Sequence, residues 1–390
     1  MSLRFLTAGE SHGPALTVIL EGLPAGLELS IEGINRDLAR RQSGFGAGAR
    51  MKIERDAAHI LAGLMEGQTT GAPLAVLINN LDNSKWQNRS ISPMTRPRPG
   101  HADLTGAVKY SYSDLRPALE RASARETAAR VVVGAVCRQY LAQFGIQVGG
   151  YVCSIGDVAA PIEQIDLSER ISRALDSDVS CPDEETSENI RQTIRQIMQN
   201  RDTLGGVIEV AATGLPVGLG SYVQWDRRLD ARLGAAVLSI PAIKGVEIGP
   251  AFENTRQRGT QVQDGMRLAG QEIIRTSNRA GGLEGGVTNG QPLIIRAAMK
   301  PIATTLTPQE TIDLDSGEET MSQYERSDFC PVPRAVVIVE AMVCYVLADA
   351  LLEKLGGDSL SEMRPRFESL KRASLSDLKM DGLEHEFWKD

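Results

Sequence analysis

Hydrophobic and polar residues alternate in two different patterns along the first part of this chain. Two short runs rich in apolar residues, Arg4–Leu6 and Leu16–Leu20, predict strands because each ends at a cluster of Gly, Ser and Pro. The loop between them, residues 7–14, contains His12. Ser30 then suits the N-cap of an amphipathic helix. The chain therefore begins as two strands and a helix, with a histidine on the first connection.

A longer helical pattern follows in the second hundred residues. Ser123 and Glu126 match a capping box ahead of apolar residues at helical spacing, and Gly145 provides a stop signal. A second start is also consistent with the sequence, at Asp114 with Pro117 in the first turn, and it would place Ser123 inside the helix. We favour the start at Ser123, because the first N–H groups of the helix could then face an anion.

The rest of the chain continues to alternate between the two patterns without a linker. Further helices are predicted at residues 165–175, 184–200, 230–240 and 335–355, and further strands at 51–55, 74–79, 146–153, 207–212 and 246–248. This is an α/β chain of the α+β type that forms one large unit. Arg130 and Arg334 each precede a β-branched helical run, which indicates an internal pseudo-repeat of two similar halves.

Composition excludes several classes of protein. Aromatic residues make up 4% of the chain and the pI is about 5.3, which argues against a nucleic-acid partner. The five cysteines are scattered and never spaced as CxxC, so we predict neither disulfides nor a metal site, and a reducing compartment. The longest apolar run, residues 335–352, contains Glu340 and Asp349 and is therefore predicted to be a buried helix and not a membrane span. We expect a soluble, cytoplasmic protein.

Candidate chemistry is densest between Arg96 and Val131. Six arginines crowd around His101 there, although the net charge of the chain is −8. An anion-handling site and a solvated helix face carrying Arg/Glu pairs explain this cluster equally well. The adjacent loop, about twenty residues from Asp82 to Asp103, is of a length that is usually functional or disordered.

Other segments point to anions and flat ligands. His12 lies between Ser11 and Gly13 with little apolar sequence around it, which favours function. His59 has apolar neighbours, so we expect it to be a packed structural residue. The loop from Arg40 to Met51 alternates glycine with small residues between arginines, which suits phosphate or carboxylate, and it matches neither a Rossmann nor a P-loop pattern.

Eight ordered segments resemble one family, the chorismate synthases. They are GESHG (9–13), RRQSGFGAGARM (40–51), RPGHAD (98–103), RASARET (121–127), KGVEIG (244–249), NRAGGLEGGVTNG (278–290), KPIAT (300–304) and RSDFCPVPR (326–334). Together they cover the chain to about residue 355. The resemblance implies a catalytic domain over residues 1–358, followed by a polar C-terminal tail over residues 359–390.

The resemblance also implies an activity and an architecture. The reaction is the 1,4-anti elimination of phosphate from 5-enolpyruvylshikimate 3-phosphate to give chorismate, in the shikimate pathway of aromatic amino acid biosynthesis. Reduced FMN is required without net redox change, and the family is thought to overcome the unactivated ring C–H by electron donation from the flavin. The implied fold is a β-α-β sandwich, and the implied assembly is a homotetramer. NADPH as the source of reducing equivalents stays open, as does an ordinary NAD(P)H-dependent flavin oxidoreductase. A non-catalytic phosphate-binding module would leave the two loop histidines without a role.

Residue by residue, the resemblance implies roles for three sets of side chains. The catalytic set is His12, which would protonate the departing phosphate, His101, which would act at flavin N1, and Asp328, which would assist proton removal from N5. The substrate-binding set is Ser11, Arg41, Arg50, Met51, Arg125 and Arg326. The cofactor-binding set is Ser123, Ala124, Arg125, Pro241, Ala242, Gly285, Lys300, Pro301, Ile302, Ala303, Thr304 and Arg326.

Three positions depart from the family pattern. Ala47 replaces an arginine that many relatives carry in the glycine-rich loop. Pro241 stands where a polar residue is common. Ser327 replaces the histidine of a frequent Arg-His-Asp segment. None of these changes removes a residue with a catalytic role, so we expect activity.

Overall fold

The architecture is described by a computed structural model that covers residues 2–46, 55–325 and 327–388. A four-stranded antiparallel sheet forms one outer layer, and its strands alternate between buried and exposed positions as the sequence pattern predicts. Its strands are β1 (Arg4–Ala8), β2 (Ala15–Glu21), β3 (Ala58–Ala62) and β6 (Leu74–Asn79), in the order β1-β2-β6-β3. The short strands β4 (Leu64–Met65) and β5 (Gln68–Thr69) form a hairpin between β3 and β6.

A five-stranded antiparallel sheet forms the second outer layer. Its strands are β7 (Gln147–Ile155), β8 (Val158–Ala159), β9 (Gly206–Thr213), β10 (Ile243–Ile248) and β15 (Leu293–Met299), in the order β10-β15-β9-β7-β8. This sheet is built from the strands predicted at residues 146–153, 207–212 and 246–248. The strand predicted at residues 51–55 falls largely outside the described residues.

Helices fill the space between the sheets. They are α1 (Ile31–Gln42), α4 (Thr127–Ala142), α7 (Leu229–Leu238) and α10 (Val332–Leu355). Helix α4 packs on β1 and β2, whereas α10 packs on β7 and β9, and the two helices pack on each other. A Cβ added at Gly134 of α4 would lie 2.2 Å from the Cα of Ala341 in α10, so only glycine permits this approach. The layers confirm the α+β fold and are arranged as a β-α-β sandwich.

The two halves follow the same path. The main elements of each half run strand, strand, helix, strand, strand, helix. In the first sheet β1 pairs with β2, β2 with β6 and β6 with β3. In the second sheet β7 pairs with β9, β9 with β15 and β15 with β10, which is the same order. The equivalent connections are residues 80–126, which join β6 to α4, and residues 300–331, which join β15 to α10. Both connections carry residues that the sequence assigns to the site.

Helix α10 is the one described helix that is long and apolar enough to cross a membrane. Its 24 residues are nearly all enclosed by β7 and β9 of the second sheet and by helices α1, α4 and α7, and 89% of its most apolar window is buried. Glu340 is buried with it and accepts hydrogen bonds from Arg40 (2.8 Å) and Arg138 (2.7 Å). The helix is therefore a core element, as the charged residues in its sequence predicted.

Smaller elements surround this core. The helices are α2 (Asp103–Tyr110), α3 (Arg116–Ala122), α5 (Leu167–Asp176), α6 (Glu184–Gln199), α8 (Ala251–Asn254), α9 (Gly259–Val262) and α11 (Leu360–Glu368). The strands are β11 (Met266–Ala269), β12 (Glu272–Arg275), β13 (Leu283–Glu284), β14 (Val287–Thr288), β16 (Glu310–Asp313) and β17 (Glu318–Met321), which pair as three hairpins. Leu360 and Met363 of α11 are buried in the main core, so the first part of the predicted tail packs on the sandwich.

Two local predictions need correction. His59 is exposed on the outer face of the first sheet, where it pairs with Leu77, so the prediction of a packed histidine is wrong. The helix predicted from Ser123 begins at Thr127, because the extended backbone of Ser123 (ψ 140°) separates α3 from a short 3-10 turn at Ala124–Glu126. The competing helix start is present as well, since Pro117 lies in the first turn of α3.

Candidate active site

The loop between β1 and β2 holds His12 between two other segments. Oε1 of Glu120 lies 2.7 Å from Nδ1 of His12, and Oε2 accepts a hydrogen bond from the backbone N–H of His12 at 2.8 Å. The ring of Trp86 lies against the imidazole, with ring centroids 4.3 Å apart. Beside this pair, the buried Ser11 accepts a hydrogen bond from Ser123 (3.1 Å). The loop and the end of α3 therefore form one polar pocket.

Two buried arginines lie next to this pocket. Nη1 of Arg125 donates to both oxygens of Asp56 (2.6 and 2.8 Å), and its Nε donates to Asn80 (2.9 Å). Arg41 donates to Thr127 (2.9 Å) and to the carbonyl of Ala124 (2.8 Å). The turn that begins at Ser123 thus anchors the guanidinium of Arg41, whereas Asp56 and Asn80 hold that of Arg125. The resemblance assigned both arginines to substrate binding.

Arg41 is the less completely neutralised of the two. Its Nη1 is buried without a hydrogen-bond partner among the described residues and lies 3.6 Å from Oδ2 of Asp56. Burial, and then the neighbouring charge of Arg334, lower the pKa of Arg41 to about 9. A guanidinium in this position is stabilised by an anionic ligand, because the anion supplies both a hydrogen-bond acceptor and an opposite charge.

His101 lies in a second charged cluster. Its Nδ1 is 2.6 Å from Oδ1 of Asp103, a carboxylate with no exposed surface. Arg98 donates to both oxygens of Asp103 through Nε (2.8 Å) and Nη2 (2.9 Å). Burial alone would raise the pKa of Asp103, but the hydrogen bonds from Arg98 and His101 hold it well below its usual value. Asp103 is therefore ionised at neutral pH and orients both partners.

The segment from Lys300 to Thr304 joins this cluster from the other half of the chain. Nζ of Lys300 donates to the carbonyl of Gly100 (3.0 Å), and Nη1 of Arg98 donates to the hydroxyl of Thr304 (3.2 Å). The hydroxyl of Ser327, one of the departures from the family pattern, donates to the carbonyl of Thr304 (2.9 Å). Serine at this position therefore supports the loop that the sequence assigned to the cofactor.

Asp328 connects the two clusters. Its Oδ2 accepts a hydrogen bond from Nη1 of Arg334 (2.7 Å), and Nε of Arg334 donates to the backbone carbonyl of Arg41 (2.9 Å). The predicted residues His12, Arg41, Arg125, His101, Asp328 and Lys300–Thr304 are therefore linked through a few intervening contacts, although they come from opposite ends of the chain.

Pro241 and Ala242 also reach this region. The carbonyl of Ala242, a residue with positive φ (67°), accepts a hydrogen bond from the backbone N–H of Lys300 (2.9 Å). Gly285 is placed elsewhere, because its hairpin turn packs on Arg228 and Leu229 at the start of α7. Since α7 has 10 residues, its two ends are about 15 Å apart, and Pro241 follows the far end.

The arginines of residues 96–131 do not form the solvated helix face considered from the sequence alone. Four of its members form ion pairs with acids brought from near and far, namely Arg96 with Asp313, Arg98 with Asp103, Arg125 with Asp56 and Arg130 with Glu126. Most of these side chains are largely buried. Three predicted residues, Arg50, Met51 and Arg326, lie outside the described residues, as does Ala47.

Several residues of this site were missed from the sequence. Asp56, Asn80, Trp86 and Glu120 carry no local signal, because their partners are distant in the chain. Arg98 and Asp103 were noted beside His101 in the sequence, but no role in the site was assigned to them. Arg334 closes another of the eight segments and was likewise given no role in the site.

Comparison with known proteins identifies the family of the chain. The family model described as chorismate synthase matches residues 3–352. The chain belongs to the chorismate synthase family. A chorismate synthase from Geobacter sulfurreducens is 51% identical over 384 residues, with 94% of this chain and 98% of that protein covered. One from Aquifex aeolicus is 50% identical over 387 residues, with 94% and 96% covered.

A solved structure shows the same likeness in three dimensions. The structure titled "Crystal Structure of Chorismate Synthase" superposes with a TM-score of 0.77 at 45% identity, covering 94% of this chain and 97% of that one. Membership of the chorismate synthase family makes the chain a shikimate-pathway enzyme, a carbon–oxygen lyase that acts on phosphates.

Proposed function

We propose that this chain converts 5-enolpyruvylshikimate 3-phosphate to chorismate at the site described above, with reduced FMN as a bound and unconsumed cofactor. The observation that carries the proposal is the buried Nη1 of Arg41, which has no partner among the described residues and lies beside Arg125 and the His12 pocket. A substrate with a phosphate and two carboxylates supplies the acceptors that such a guanidinium needs.

Charge distribution suggests which ligand takes which side. Arg41 and Arg125 both pair with Asp56, and Nη1 of Arg41 has no hydrogen-bond partner among the described residues, so an incoming anion finds a donor there. Arg98 is matched by Asp103 next to His101. We therefore assign the phosphate of the substrate to the His12 side and the flavin ring to the His101 side, with Arg50, Met51 and Arg326 completing the set as predicted.

The residues near Lys300 fit a flavin by their chemistry. Lys300 offers a cation, Thr304 and Ser123 offer hydroxyls, and Ala242 and Ala124 present backbone at tight turns. When bound, reduced FMN would supply electron density to the ring as the phosphate leaves. Proline at position 241 limits its own contribution to packing and its carbonyl oxygen, since it has no N–H.

The proton-handling roles follow from the two histidine pairs. An ionised carboxylate only accepts hydrogen bonds, so Glu120 fixes one imidazole proton of His12 on Nδ1. The imidazolium form of His12 carries a second proton on Nε2, which it would pass to the departing phosphate, and the neutral ring would keep its proton on Nδ1. Nδ1 of His101 lies within hydrogen-bond distance of both Asp103 and Arg98, which hold the ring where it would act at flavin N1. Asp328, held by Arg334, would assist removal of the proton from N5.

A homotetramer is part of the same proposal. Leu6, Ile19 and Leu61 are each more than two-fifths exposed on the outer face of the first sheet, and Leu6 pairs directly with Ile19. Contiguous apolar surface of this kind marks an interface. A second copy could also bring the hairpin of Gly285 towards the flavin side of its neighbour. Light scattering of the purified chain measures the oligomeric state directly, and a monomer would contradict this part of the proposal.

The remaining expectations concern location and reductant. We propose a cytoplasmic enzyme, and the free, mostly buried thiols of all five cysteines are compatible with a reducing compartment. NADPH would serve only to reduce the flavin, because the elimination itself consumes no electrons.

An anaerobic assay tests the function. The chain is mixed with its substrate and chemically reduced FMN, without NADPH, and both chorismate and released phosphate are measured. We expect the two products in equal amounts. A strict requirement for NADPH when reduced flavin is already present would contradict the proposal and favour a flavin oxidoreductase. Oxidised FMN in place of reduced FMN provides the control and should give no product.

A further inference from the structure

The contacts of Glu120 are unusual in that both of its oxygens serve the same residue. Oε2 accepts the backbone N–H of His12 at 2.8 Å, and Oε1 lies 2.7 Å from the ring Nδ1. The carboxylate is 13% exposed and the imidazole 15% exposed. Glu120 belongs to α3, whereas His12 lies on the loop between β1 and β2, so this contact fixes the loop to a helix.

The face and the backbone of His12 are held as well. Trp86 lies against the imidazole with its ring tilted by 40°, and the guanidinium of Arg116 lies 5.9 Å from the centre of the Trp86 ring. The side-chain amide of Asn83 donates to the carbonyl of His12 at 2.8 Å. Among the described residues, Nε2 is the one polar atom of the ring that has no protein partner.

We propose that Glu120 is the positioning residue of His12: it accepts the Nδ1 proton, which the ring keeps when the imidazolium passes its second proton from Nε2 to the phosphate. The proposal rests on the function proposed above, because only there does His12 have a chemical role. Glu120 lies in none of the eight segments that resemble the family, although it immediately precedes the segment at residues 121–127.

The electrostatics of the pair support this assignment. Burial alone would raise the pKa of Glu120, but the hydrogen bonds from the ring and backbone of His12, together with the charge of Arg116, hold it below its usual value. The side chain is therefore an acceptor at any pH at which the enzyme would work. A carboxylate in this state cannot donate to Nδ1, so the opposite tautomer would leave two acceptors facing each other.

A purely structural role would make a different prediction. If Glu120 served only to hold the loop, a glutamine of the same size would replace it, because the amide oxygen can still accept the backbone N–H of His12. The amide NH2 would then face Nδ1 and donate to it, which would move the imidazole proton to Nε2. Glu120→Gln therefore keeps the loop in place and reverses the tautomer.

The experiment uses the full chain with 15N-labelled histidine. NMR at a pH where the imidazole is neutral reports which ring nitrogen carries the proton, and the variant His12→Asn assigns the signal among the four histidines. We expect the Nδ1–H form in the unaltered chain and the Nε2–H form in Glu120→Gln. Turnover of Glu120→Gln should fall by roughly 10²-fold or more, the lower end of the range for a positioned acid, because the amide NH2 facing Nδ1 would oppose formation of the imidazolium that acts as the acid. The KM should change less than about threefold.

Two further variants make the result decisive. Asp381→Asn is the matched control, since Asp381 accepts from His385 at 3.0 Å on the exposed tail, and it should change neither turnover nor the signal of His12. Glu120→Asp keeps the charge, and should retain the Nδ1–H form and recover part of the turnover. If Glu120→Gln does not fold, Glu120→Asp still tests the proposal, because a reversed tautomer in that variant would contradict it.

The outcomes separate this inference from the function on which it rests. An unchanged tautomer in Glu120→Gln would overturn the role of Glu120. So would normal turnover in Glu120→Gln despite a reversed tautomer, if His12→Ala is inactive. If the tautomer is reversed in Glu120→Gln but both Glu120→Gln and His12→Ala retain normal turnover, the role of His12 is overturned. The orientation of His12 by Glu120 would then remain established.

Discussion

The two histidines of the site are each paired with a carboxylate, yet the pairs differ in how many donors the carboxylate serves. Glu120 accepts two hydrogen bonds, both from His12. Asp103 is fully buried and accepts from the backbone N–H, Nε and Nη2 of Arg98 as well as from His101. Glu120 therefore acts on one residue, whereas Asp103 holds together the loop that carries His101.

The surroundings of the two pairs differ in charge as well. On the His12 side, two arginines share one aspartate among the described residues, and Arg41 retains a buried N–H without a partner. On the His101 side, Arg98 is paired with Asp103, and Lys300 donates to the carbonyl of Gly100. Among the described residues, a buried guanidinium N–H without a partner therefore lies on the His12 side, at Arg41, and this is the side to which we assign the anion.

Removing either imidazole should have the largest effect and would show whether the two sides are equally important. We expect His12→Ala and His101→Ala each to lower turnover by roughly 10²–10⁴-fold, as is typical of a positioned acid or base. The anaerobic assay with reduced FMN measures both. His385→Ala, on the exposed tail, is the control and should retain full turnover. Near-normal turnover of either site variant would remove that histidine from the mechanism.

Changing the carboxylates should separate structure from chemistry. We expect Asp103→Asn to lower the free energy of unfolding by about 3–5 kcal/mol, because Arg98 would be left as a buried cation without its counter-charge. Urea denaturation followed by fluorescence measures this value. Glu120→Gln should cost much less, because the salt bridge of Glu120 is to His12 and not to a buried arginine. Equal losses of unfolding free energy in the two variants would show that the two carboxylates stabilise the fold equally.

The ion pair of Arg98 with Asp103 also determines how the stability of the fold depends on pH. Because the folded state lowers the pKa of Asp103 below its usual value of 3.8, the stabilisation that Asp103 provides is present above that value. It is lost as the pH falls through the lower pKa of the folded state. The unaltered chain should therefore lose stability below about pH 4, and Asp103→Asn should lose less of its remaining stability there.

Much of the architecture was predictable because it depends on local patterns. The alternation in β2 and the apolar run of α10 identify a sheet and a core helix, and the structure contains both. The pairing of His12 with Glu120 was not predictable, since the two residues are 108 positions apart and neither has a pattern that points to the other. The prediction that His59 is buried was wrong because the outer face of its sheet is itself apolar, so apolar neighbours in the sequence did not indicate burial.

The smallest expected effect concerns the geometry of the anion side. Arg41→Lys keeps the positive charge, but an ammonium group cannot contact Thr127, Ala124 and a ligand in the planar arrangement of a guanidinium. We expect KM for the substrate to rise about tenfold, equivalent to about 1.4 kcal/mol, with a smaller fall in turnover. Arg195→Lys is the matched control, because Arg195 is half exposed and pairs with Glu188 on the same helix. A tenfold rise in KM for FMN with an unchanged KM for the substrate would place Arg41 beside the flavin. It would then reverse the assignment of the substrate to the His12 side and the flavin to the His101 side.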